Sequence, residues 1–76
     1  MAVLPVISGN EAVKAFQKTG WEFKRVGSNR HIILKKEGTP VTLSIPDHKV
    51  LDRGLLRALI RDALLSVEDF CKLLED

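Results

Sequence analysis

The stretch WEFKRVGSNRHIILKKEGTPVTLSI, residues 21–45, decides the fold. Along WEFKR, Trp21 and Phe23 fall on one side and Glu22 and Lys24 on the other. A period of two marks a half-buried strand, because successive strand side chains point to opposite faces. Gly27-Ser28-Asn29 is turn chemistry. RHIILKK reads as a second strand, Glu37-Gly38 as a hairpin turn and PVTLSI as a third strand, in which Val41, Leu43 and Ile45 share a face. With a two-residue loop at Glu37-Gly38, Leu34 lies opposite Val41, Ile32 opposite Leu43 and His31 opposite Ser44. Sliding this register by two residues keeps the same side chains inward, whereas sliding it by one inverts them. Both core-preserving registers bury Ile32 and Leu34 and leave His31 on the other face, with Ile33 and Thr42.

Helices flank this sheet. In SGNEAVKAFQKTG, Ser8 and Glu11 have the spacing of a capping box, in which each side chain bonds the other residue's backbone N–H. Val13 and Phe16, with Ala12 and Ala15, form one apolar face, and Gly20 is a helix stop. Pro46 ends the third strand. Asp52 is the expected N-cap of a helix reaching about Leu64, with Leu56, Leu59, Ile60 and Ala63 on its buried seam. Arg53, Arg57 and Arg61 form a basic stripe away from that seam, either a solvated face or a track for phosphates. Ser66 opens a last short helix with Val67, Phe70 and Leu74 inward. The order α-β-β-β-α-α predicts a single α+β domain over residues 1–76, a three-stranded antiparallel sheet with helices on one face.

Composition narrows the function classes. The chain has 76 residues, 45% of them hydrophobic and 29% charged, which excludes a disordered chain and leaves room for one small core. Residues 14–61 hold eleven Lys or Arg against four acids, and residues 62–76 hold five acids against one lysine. A basic body with an acidic tail suits a polyanionic partner such as nucleic acid. The lone Cys71 excludes an internal disulfide and suits a reducing compartment. No apolar run approaches the roughly 20 residues of a membrane span, and the N-terminus lacks the pattern of a signal peptide. A cytoplasmic protein with no membrane role is expected.

Few residues are available for chemistry. His31, His48 and Cys71 show no zinc-ligand spacing, so no metal is expected, and no phosphate-cradling glycine motif is present. Cys71 lies among Phe70, Leu73 and Leu74, where a buried thiol packs as a small apolar group. His48, in IPDHK, reads as a loop histidine bonded to backbone. His31 differs in its neighbours, since Lys24, Arg25, Arg30, Lys35 and Lys36 lie within a few positions. An imidazole exchanges a proton near neutral pH, and surrounding cations stabilise a phosphorane-like transition state. The plainer alternative is a half-exposed strand histidine among surface lysines.

The segments SGNEAVKAFQKTGW, KRVGSNRHIIL, VTLSIPDHK and LDRGLLRALIRDALLSVEDF, in this order and spacing, resemble the HicA family of toxins, the mRNA interferases of HicA–HicB toxin–antitoxin pairs. The likeness runs over residues 4–74. It implies a fold similar to the double-stranded-RNA-binding domain, metal-independent cleavage of mRNA by one histidine, no cofactor, and a HicB-like antitoxin that covers the active site. Carried onto this chain, it makes His31 the general acid/base. The residues around it complete the expected RNA site, with Lys24, Arg25 and Arg30 binding phosphate and Ser28 and Asn29 shaping the turn. The family pattern sets the histidine directly after Gly-Ser or Gly-Ser-Asn, whereas here Gly27-Ser28-Asn29-Arg30 precede it. Anchoring on the strand HIIL puts His31 in the catalytic slot behind a longer turn. Running ungapped from Gly27 puts Asn29 or Arg30 there. Leu64 also departs, standing where the family often has glycine. A non-catalytic RNA-binding module, or an antitoxin-bound regulatory partner without nuclease activity, is the alternative function.

Overall fold

A computed structural model describes residues 3–75; Met1, Ala2 and Asp76, the ends of the expected 1–76 domain, lie outside the described residues. The elements are α1 (Gly9–Gln17), β1 (Glu22–Val26), a tight turn at Ser28–Arg30, β2 (His31–Lys35), β3 (Thr42–Pro46), α2 (Arg53–Asp62) and α3 (Val67–Glu75). The sheet is antiparallel in the order β1-β2-β3. This is the expected α-β-β-β-α-α order of an α+β domain. No helix among the described residues is long and apolar enough to cross a membrane.

The helix ends follow the sequence signals. The Ser8 hydroxyl accepts from Glu11 N–H while the Glu11 carboxylate accepts from Ser8 N–H, closing the capping box of α1. The Asp52 carboxylate caps α2 through Leu55 N–H at 2.9 Å, and the Ser66 hydroxyl caps α3 through Asp69 N–H at 3.0 Å. Each such cap supplies an acceptor to an otherwise orphaned N–H and contributes about 1 kcal/mol. α2 stops without a glycine. Leu65 N–H bonds Ile60 C=O and Leu64 N–H bonds Arg61 C=O, the two bonds of a Schellman stop, so Leu64 is forced to φ 62°.

The core lies between the sheet and the helices. Ile32, Leu34, Leu43 and Ile45 meet Ala12, Phe16, Leu56 and Ile60, all buried. Phe70 brings α3 onto α1, its ring 5.0 Å from that of Phe16. Lys18 Nζ then donates to Leu73 C=O at 2.6 Å, a cation on the carbonyl end of α3. Gly9 sits so close to Pro46 C=O that any Cβ would collide with it, and its N–H bonds His48 C=O. That contact holds the start of α1 against the end of β3.

Three sequence expectations need correction. Leu34 pairs with Leu43, Ile32 with Ile45 and His31 with Pro46, so the register is the one slid by two residues. The β2–β3 link therefore runs from Lys36 to Val41, longer than a two-residue hairpin, with Pro40 denying the strand a donor there. The inward faces are unchanged. Phe23 is 51% exposed rather than buried beside Trp21, because α1 and α2 pack over β3 and leave the edge strand β1 uncovered. Finally, β1 does not alternate throughout. Phe23 pairs with Leu34 and Arg25 with Ile33, leaving Lys24 as the extra residue of a β-bulge.

Candidate active site

The face of the sheet away from the helices carries the site. On it, Arg25, Ile33 and Ser44 lie side by side across the three strands, with His31 next along β2. The bulge is what places Arg25 here. Unbroken alternation from Phe23 would have turned it to the helix side, and the extra residue Lys24 reverses that phase. Arg25, Gly27, Ser28, Asn29, His31, Ile33 and Ser44 line an open depression of about 330 Å³.

The turn before His31 holds its ring. Ser28 C=O accepts the His31 backbone N–H and lies 3.0 Å from His31 Nδ1. A carbonyl only accepts, so Nδ1 carries the hydrogen and the neutral ring keeps its lone pair on Nε2. One carbonyl thus fixes both the backbone and the tautomer. The loop closes below it, where Gly27 N–H bonds His31 C=O at 2.7 Å, and Asp47 N–H bonds Arg30 C=O from the end of β3 at 3.2 Å.

Asn29 (φ 56°, ψ 32°) and Arg30 (φ 60°) are both left-handed, the sign pattern of a type I′ turn. Asparagine tolerates this conformation, whereas arginine loses roughly 1–2 kcal/mol in it. The turn expected at Gly27-Ser28-Asn29 is therefore centred one residue later, and Arg30 belongs to the turn rather than to β2. Gly27 has a different role. A Cβ there would come within 3.3 Å of the Arg25 guanidinium and 3.5 Å of Ile33, so glycine lets that side chain lie against the turn.

Of the six residues expected at the site, the structure gathers His31, Arg25, Ser28 and Asn29 around the depression. Arg30 is exposed at the apex of the turn, outside the lining. Lys24 is also outside it, 3.5 Å from the Glu22 carboxylate, near Lys35 at the opposite end of the sheet. His48 is exposed and does not line the depression, and it is its carbonyl that bonds Gly9. Sequence reasoning passed over Ser44 and Gly27 as site residues. Alternation already put Ser44 on His31's side of β3, and that was the available signal. Gly27 gave none beyond its turn chemistry, because its role depends on where Arg25 lies.

Comparison with curated proteins returned no match. Comparison with family models matched residues 9–65, from the first residue of α1 to just past the end of α2, to the HicA toxin of bacterial toxin–antitoxin systems. The matched span contains the whole sheet, the His31 turn and both helices that cover β3. A chain whose capped helix, three strands and histidine-bearing turn all fall inside that one match belongs to the HicA toxin family.

Proposed function

We propose that this toxin is an endoribonuclease that cuts mRNA with His31 as general acid and base. The observation that carries the reading is the His31 ring, held through Nδ1 by Ser28 C=O beside Arg25 in an open depression. His31 Nε2 takes the proton of an RNA 2′-hydroxyl. O2′ attacks the adjacent phosphorus, the P–O5′ bond breaks, and the imidazolium returns its proton to O5′. The products are a 2′,3′-cyclic phosphate and a 5′-hydroxyl. The Arg25 guanidinium lies where it can meet the charge that grows on the phosphoryl oxygens. Ser28 and Ser44 offer hydroxyls to the same group, Asn29 shapes the turn, and Arg30 meets the strand beyond it. Lys24 acts at most on a distant phosphate. The chemistry draws on side chains alone, with no metal. A HicB-like antitoxin is the partner, and the cytoplasm is where both meet translated mRNA.

The register of β2 favours His31 over Asn29 or Arg30 in the catalytic slot. β2 begins at His31, and the extra residues are spent in the turn. The test is cleavage of a defined RNA with end-group analysis. Wild-type protein is expected to leave cyclic phosphate ends, and His31→Ala to cut about 10²–10⁴-fold more slowly while binding RNA nearly as well. RNA binding by the wild type with no cleavage would sink the reading and leave a binding module.

A further inference from the structure

The arginine stripe of α2 is not used by the site just described. Arg57 and Arg61 are exposed, and among the described residues neither has an acid within ion-pair distance. They border a groove of about 520 Å³ between α2 and the start of α3, walled by Ala58, Ile60, Leu65 and Val67. This groove lies in the helical layer, whereas His31 is on the opposite face of the sheet. Two cations four residues apart stand on the same side of a helix, one turn from each other. A nucleic acid strand would draw on the two arginines through its phosphates and leave the apolar wall beside them unused. The groove is well suited to an amphipathic helix, with apolar side chains entering it and carboxylates reaching the arginines.

We propose that this α2–α3 groove is a docking surface for an acidic amphipathic helix of the antitoxin, remote from His31. This rests on the reading that a HicB-like antitoxin is the partner. The charge complementarity sets orientation and encounter, and the apolar wall supplies the buried contact. An antitoxin held here keeps its hold on the toxin even where RNA competes for the His31 face.

The test uses the full chain, the antitoxin and a short RNA. Arg57→Glu/Arg61→Glu is expected to bind the antitoxin about 10- to 100-fold more weakly in calorimetry. It should cleave RNA at the wild-type rate. Antitoxin binding by the double variant as tight as wild type overturns the proposal. So does a loss of RNA affinity with antitoxin binding intact, which makes the stripe a phosphate track. If the wild type itself binds no antitoxin, the partner reading fails first, and the groove proposal with it. Should the double variant unfold, amide shifts of the wild type decide: antitoxin must move Gly54, Ala58, Leu65 and Val67, and their silence overturns the proposal.

Discussion

β2 presents two faces that differ by one residue step. Ile32 and Leu34 are buried against the helices, while His31 and Ile33 are only half-buried on the bare face. The pairing partners follow suit, with Leu43 and Ile45 inside and Ser44 outside. The same five residues therefore present two different faces: the inner one holds the domain together, and the outer one is left uncovered. A small domain can afford this because its sheet is covered on one side only. Reactive groups on the open side need no desolvation and displace no core residue.

Four measurements can break or sharpen that division. His31→Ala is expected to raise the cleavage barrier by about 3–5 kcal/mol. Its urea midpoint should stay at the wild-type value. A large loss of stability in this variant would mean that the outer face is structural after all. Leu34→Ala should do the opposite, costing about 2–5 kcal/mol of stability. Urea unfolding checks the cost, and the remaining folded fraction should cleave normally. Cleavage that falls faster than the folded fraction would tie the two faces together.

The left-handed residues extend the comparison to the backbone. Leu64 is 89% exposed, so Leu64→Gly removes little packing and relieves the strained φ, and is expected to stabilise by about 1 kcal/mol. Thermal melts of Leu64→Gly and Arg30→Gly should both rise. Only the second should also weaken RNA binding, since only that position lies beside His31. The smallest effect separates two neighbouring cations. Arg25→Ala should reduce the slope of log affinity against log salt by about 1, as expected for one lost phosphate contact. Lys24→Ala should leave the slope almost unchanged. Equal slopes would show that the bulge does not sort these residues.

Much of this was legible in the chain. Helix N-caps are local, so Ser8, Asp52 and Ser66 announced three helices correctly. Alternation in HIIL and VTLSI placed both buried rows and put His31 outside, although the register was off by two. That error was harmless because a shift of two preserves the faces. Phe23 misled because its pattern matches a buried strand residue. Burial needs a covering helix, and where the helices lie is not written in five residues of β1.

Local chemistry by itself determined the element order, the core rows and the histidine's side of the sheet, because caps and strand periodicity act over three or four residues. Tertiary structure alone decided which cation joins His31. The one-residue bulge at Lys24 arises from pairing β1 with β2, and it turns Arg25 onto the outer face while Lys24 goes to Glu22. Tertiary structure also decided that Leu64 would adopt a glycine's conformation. The chain must leave α2 at that point for Phe70 to reach Phe16, and the packing of α3 on α1 outweighs the cost of the strained residue.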